Sequence, residues 1–304
     1  MLGLLIQAQD VAVAGRVVRD TTQRPVSRQW VVLHAMTRGG GGPVDSMRTD
    51  AAGRYAFHVA KVNPEAVYVV SAQYAGIAHF SEPIVLAGRL TADFGSLVVY
   101  DTTSAGPPVR LTLRYINIGA TRDDGTHDVL EAIELQNTGA RTRVPAESAA
   151  VWQTALPPGV VQFQVGESDV SAEAVSLVGD TVKVFAPISP GGSKQLSFAY
   201  TAPATMRELQ VPIDQPTGEV LLLVEDTTAL VTGPALERLA VQELEGHRYA
   251  RYRFAAPALG AAITVALPPP RFRADRLVPW IVGIAALALL AGLVRALRKP
   301  VASR

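Results

Sequence analysis

Five histidines bound the acid–base and metal chemistry open to this 304-residue chain. His79-Phe80-Ser81-Glu82 has the His-x-x-Glu spacing that can hand two ligands to a zinc ion. A catalytic zinc takes three protein ligands and a water, and no third ligand in a supporting context follows. The residues therefore read as a surface His and Glu near a strand end. Arg122-Asp123-Asp124-Gly125-Thr126-His127-Asp128 gathers three carboxylates around a glycine, oxygen ligands of the kind calcium takes. It lacks the spaced Asp/Asn ladder and terminal Glu of an EF-hand loop, so a polar hairpin turn explains the same residues.

Other chemistries fare no better. Glu243 and Glu245, with Glu237 nearby, alternate as exposed strand or turn residues do, and only a fold can give the carboxylate separation of a glycosidase. Gly39 to Gly42 lacks the Lys-Ser/Thr of a phosphate loop and precedes no helix, which leaves a flexible loop between strands. No Gly-x-Ser-x-Gly elbow occurs, and the histidines lie near no serine motif. The absence of cysteine removes disulfides, thiol catalysis, Fe–S clusters and thiolate zinc together. With 28 basic and 27 acidic residues the net charge is +1, and no basic stripe interleaved with aromatics marks a nucleic-acid surface. Trp30 and Trp152 are the tryptophans available for a sugar platform, but Trp30 beside Val31-Val32 reads as core or sheet packing. The expectation is a chain with no catalytic residue, no cofactor and no metal, and not an enzyme.

The elements that would carry any site are strands. From Val11 to about Leu97 short apolar runs recur roughly every ten residues with no helical period, the mark of a small sandwich. Val11–Val18, Trp30–Ala35, Asp45–Asp50, Arg54–Val59, Tyr68–Tyr74 and Ile84–Leu86 are the runs, separated by turn residues such as Asp20 to Pro25 and Ala51-Ala52-Gly53. A Gly-containing turn between β-rich segments is a hairpin signal.

Gly15-Arg16-Val17-Val18, Arg24-Pro25-Val26, Val31-Val32-Leu33 and Thr49-Asp50-Ala51-Ala52-Gly53-Arg54-Tyr55-Ala56-Phe57 together resemble the carboxypeptidase regulatory-like domain. Tyr68 to Ala72 followed by Tyr74-Ala75-Gly76 is similar to its closing strands. The resemblance covers about residues 10 to 90 and implies a transthyretin-like, seven-stranded sandwich within a carbohydrate-binding-like fold. It also implies an accessory or display module of exported proteins, with no catalytic residues to carry over. The Thr-Asp-x-x-Gly-x-Tyr-x-Phe element is structural, since Gly53 can take positive φ while Tyr55 and Phe57 face one side of the next strand.

From Val109 to Leu267 the strand rhythm continues, with alternation in Leu111–Ile116 and in the second half of Val129–Gln136. Further runs lie at Gln162–Val165, Val182–Phe185, Gln195–Tyr200, Val220–Val224 and Tyr249–Phe254. The region reads as one or two sandwich units, the strands after about 215 either extending the second or forming a small domain. The fold class is thus mainly β, tandem β-sandwiches followed by one C-terminal transmembrane helix.

That helix is the run from Leu277 to Val294, eighteen residues without a charge. At about 1.5 Å per residue it spans roughly 27 Å, close to a hydrocarbon core of about 30 Å. Trp280 suits the headgroup interface, Pro279 is tolerated in a first turn, and Arg295, Arg298 and Lys299 close the span. Pro268-Pro269-Pro270 opens a stiff linker over residues 268–276. Flanking charge favours an inside tail (295–304) by one residue. Residues 1–9 read as a short or truncated signal peptide, apolar but without a basic n-region. The resulting expectation is a protein of the bacterial inner membrane with its bulk periplasmic or extracellular. Its partners would be the membrane and another envelope protein, with carbohydrate as the alternative ligand and a hydrolase the least favoured reading.

Overall fold

The computed structural model describes residues 10–20, 22–147 and 149–268. The N-terminal stretch 1–9 and the whole Leu277–Val294 run, with Trp280, Arg295, Arg298 and Lys299, lie outside the described residues. Among the described residues no helix is long and apolar enough to cross a membrane, and the helical element is one three-residue turn at Ala172–Ala174.

The first unit contains β1 (Val11–Arg19), β2 (Arg24–Pro25), β3 (Trp30–Thr37), β4 (Gly40–Arg48), β5 (Arg54–Val59), β6 (Val67–Tyr74), β7 (Ile77–Phe80), β8 (Ile84–Val85) and β9 (Thr91–Val99). In β5 strict alternation buries Tyr55, Phe57 and Val59 and exposes Arg54, Ala56 and His58. One sheet is centred on β1, which pairs with β2 and β5 antiparallel and with β9 in parallel. The other runs β4-β3-β6-β7, with β8 also on β6. Val11, Val13, Val31, Leu33, Phe57, Tyr68 and Val70 fill the space between them.

The turn that carried the resemblance is held by its own side chains. Asp50 Oδ1 accepts the N–H groups of Ala52 and Arg54, both at 2.8 Å. Thr49 Oγ1 donates to the Val26 carbonyl at 2.6 Å and accepts the Gln29 N–H at 2.9 Å. Gly53 has φ +73°, and a Cβ there would stand 2.5 Å from the Val17 carbonyl oxygen. The glycines after Arg38 are not the loose loop their composition suggests: Gly40 to Gly42 form the start of β4, paired with Thr37 to Ala35.

The second region contains β10 (Thr102–Thr103), β11 (Arg110–Ile118), β12 (His127–Gln136), β13 (Thr142–Arg143), β14 (Trp152–Ala155), β15 (Val161–Val165), β16 (Val175–Val178) and β17 (Thr181–Val184). It continues with β18 (Ser193–Ala202), β19 (Glu208–Pro212), β20 (Thr217–Val224), β21 (Val231–Thr232), β22 (Leu236–Leu244), β23 (His247–Ala255) and β24 (Ala262–Ala266). Seven strands form one sheet in the order β15-β18-β12-β11-β20-β23-β22. The sheets β14-β17-β16 and β19-β24-β21 share its core, a single cluster running from Val109 to Leu267. Of the strands after residue 215, β20, β22 and β23 thus complete the large sheet, with β20 directly beside β11 in parallel, while β21 and β24 pair with β19 across the same core.

Candidate functional site

A cavity of about 670 Å³ opens on the first unit where β1, β4, β5 and β9 come together. Arg16 on β1 and Arg54 on β5 are direct cross-strand partners, which puts their Cβ atoms about 5 Å apart on one face. Arg48, the last residue of β4, is the third guanidinium in the lining. Ala14, Gly15, Ala56 and Gly95 contribute little side chain and leave the floor low. Asp93, paired in register with Ala14, stands on the far strand.

Neutral groups orient these arginines. Arg16 Nε donates to Ser96 Oγ at 3.0 Å and its Nη2 to Gln23 Oε1 at 3.4 Å. Arg48 lies over the Trp30 indole, 5.0 Å from the ring centroid. The nearby acids are occupied elsewhere: Asp50 caps its turn, and Asp93 Oδ1 accepts the Gly95 N–H at 2.7 Å. Among the described residues no ion pair involves Arg16, Arg48 or Arg54. Tyr55 also lines the cavity, and its buried hydroxyl has no hydrogen-bond partner among the described residues. Burial, helped by Asp93, pushes its pKa up and keeps it protonated.

The residues singled out from the sequence fall elsewhere. His79 is buried with its ring 6.2 Å from Tyr100, and burial lowers its pKa; Glu82 is exposed. The expected surface histidine is therefore a core-edge residue, because β7 turns it inward against β6. Asp124 turns back on Thr126, and Asp128 pairs with Arg122, so the acidic turn satisfies itself. Glu237 lies 3.5 Å from Arg253, while Glu243 and Glu245 are exposed on the outer hairpin of the large sheet. Among the described residues no group of three or more His, Asp or Glu could hold a metal ion.

Trp30 needs correcting. It is 50% exposed, because Val31 and Leu33 take the inward positions of β3 and the period of two sends Trp30 outward. Trp152 is buried, its Nε1 donating to Gln215 Oε1 at 2.6 Å. Tyr74 is half-buried and donates its hydroxyl to Asp101 at 2.8 Å, which ties the first unit to the segment leading into β10.

Two arrangements were missed in the sequence. His34 Nε2 lies 2.8 Å from Ser71 Oγ across β3 and β6. A nucleophile–base pair needs a third group to orient the imidazole, and among the described residues none bonds His34 Nδ1. The other is a buried network in the large core. Arg114 donates from Nε to Glu131 Oε2 at 2.7 Å and from Nη2 to Oε1 at 3.2 Å. Its Nη1 reaches the Pro212 carbonyl at 3.0 Å, and the Tyr200 hydroxyl donates to Glu131 Oε1 at 2.6 Å. Burial opposes the Arg114 charge, but Glu131 outweighs it and leaves the pKa raised. Burial first and Glu131 second push the Tyr200 phenol well up. With Arg114 1% and Glu131 0% exposed, this network organises the core.

No protein-family model matches the chain, and no curated protein matches it. Solved structures similar to part of it include the M1 zinc metallopeptidase from Deinococcus radiodurans, at 10% identity and a TM-score of 0.34. That match covers 52% of this chain and 42% of that one. A 9R-lipoxygenase from Cyanothece PCC8801 matches at 14% identity and a TM-score of 0.24, over 33% of this chain and 19% of that one. Both likenesses are too slight to carry an argument, and the chain spans less than half the length of either structure.

Proposed function

We propose that this chain is a non-catalytic, single-pass membrane protein that holds its β-sandwich units outside the cytoplasm as a recognition module of the bacterial envelope. The Leu277–Val294 run would be the anchor, residues 295–304 its cytoplasmic tail, and residues 10–97 a carboxypeptidase regulatory-like module. The observation that carries the reading is the cavity on the first unit, where Arg16, Arg48 and Arg54 stand without an ion pair among the described residues. Arginines held by neutral partners and stacked on an indole are charges set for contact with a ligand. Carbohydrate is the second reading, favoured by the half-exposed Trp30 that stacks under Arg48, one of the lining arginines.

Crosslinking with mass spectrometry in native membranes tests it, run on the wild type and on a variant lacking residues 277–294. Crosslinks that concentrate on β1, β4 and β5, together with loss of the truncated chain from the membrane fraction, are the expected result. A chain that stays in the membrane without the span, or crosslinks no partner above background, overturns the proposal.

A further inference from the structure

We infer that the arginine-lined cavity binds an acidic saccharide unit, its carboxylate held by Arg16, Arg54 and Arg48 and its hydroxyls turned toward Asp93. The inference rests on the recognition reading above and gives the site a ligand class.

Arg16 and Arg54 are directly opposed across β1 and β5, and like charges so placed destabilise a sheet. Nothing within the described residues relieves that repulsion by an ion pair. The contacts that Arg16 does make, to Ser96 and Gln23, fix its guanidinium plane and leave its charge available. Two planar forks on one face suit a carboxylate, which they can take through paired N–H donors. The next cross-strand row is Ala14 opposite Ala56, too small to fill the space above it. A ring can therefore lie flat against the sheet between the guanidinium end and Asp93. Asp93 has one oxygen engaged by Gly95 and the other free to accept a hydroxyl. A cavity with a cationic end, a low apolar floor and an acceptor at the far end matches a ring that carries one carboxylate among hydroxyls. A bare phosphate fits the cationic end alone.

Isothermal titration of the full chain in phosphatidylcholine nanodiscs with tri-galacturonate, its neutral galactose counterpart, inorganic phosphate and phosphatidylglycerol vesicles separates the alternatives. Tri-galacturonate is expected to bind, and the neutral sugar at least tenfold more weakly. Arg16→Gln and Arg54→Gln should each weaken tri-galacturonate at least tenfold, and Asp93→Asn by several-fold. Arg16→Gln should also leave the melting temperature unchanged or higher, since it removes a like-charge pair; a clear drop would make Arg16 structural and overturn the inference. Equal binding of the neutral sugar, or binding of phosphate or vesicles as tight as tri-galacturonate, overturns it too. If no saccharide binds but Arg16→Gln abolishes the envelope crosslinks, the ligand class is wrong and the recognition reading stands. Loss of neither means that both fail.

Discussion

Arg114 and Glu131 meet in the middle of the large core, Nε to Oε2 at 2.7 Å, with 1% and 0% of their side chains exposed. A bulge between Leu111 and Leu113 resets β11, so that Arg114 falls in the inward phase with Ile116 and Ile118. Glu131 shares the inward phase of β12 with Val129 and Ile133. Two opposite charges in the apolar phase of neighbouring strands fix the pairing of β11, β12 and, through Tyr200, β18.

Breaking this pair by one partner should be costly. Glu131→Gln is expected to destabilise the full chain by about 3–5 kcal/mol, because it strands a buried guanidinium. Arg114→Met with Glu131→Leu should recover most of that loss, since both charges leave together. Urea denaturation of the two variants checks it; a double variant no better than Glu131→Gln would mean that the network does more than balance charge.

How much of this was legible in the sequence depended on the range of the interaction. Local features were readable: the Asp50-to-Gly53 turn, the alternation of β5, the runs that became β20 and β23. The parallel pairings of β1 with β9 and β11 with β20 were not, because they join segments far apart whose register no local pattern states. The opposition of Arg16 and Arg54 hides for the same reason, since three strands intervene between them. The Arg114–Glu131 pair did leave a trace, as each charge sits in phase with buried aliphatics. Trp30 could also have been placed, since alternation from Val31 and Leu33 sends it outward.

Gly15 and Tyr55 are a second pair with a testable consequence. They are cross-strand partners, and a Cβ on Gly15 would clash with the Tyr55 hydroxyl oxygen and lie 2.5 Å from Cζ. Gly15→Ala is expected to cost about 1–3 kcal/mol by overpacking. In a Tyr55→Leu background the same change should cost under about 1 kcal/mol. A double-mutant cycle by denaturant unfolding reads the coupling.

His79 should set a pH dependence. Burial lowers its pKa below the ordinary 6.5, and among the described residues its Nε2 has no partner. Above that value both folded and unfolded states hold neutral imidazole and His79 contributes no slope. On acidification the unfolded state takes up the proton first, so stability falls from about pH 6.5 down to the depressed folded value and then levels. His79→Leu should remove that part of the slope in melting temperature against pH. An unchanged slope between pH 6.5 and 5 would assign it to other groups.

The two tryptophans of the described residues should behave oppositely. Trp152 is 5% exposed with its indole N–H donated to Gln215, so Trp152→Ala loses packing and leaves a polar partner unpaired. It is expected to cost about 3–5 kcal/mol. Trp30 is 50% exposed and its main contact is Arg48 over the ring; Trp30→Ala should cost about 1 kcal/mol or less. In a Trp280→Phe background, acrylamide should quench the fluorescence of a Trp152→Phe variant strongly and that of a Trp30→Phe variant weakly. The reverse order would put Trp30 in the core after all and remove it as the outward platform under Arg48.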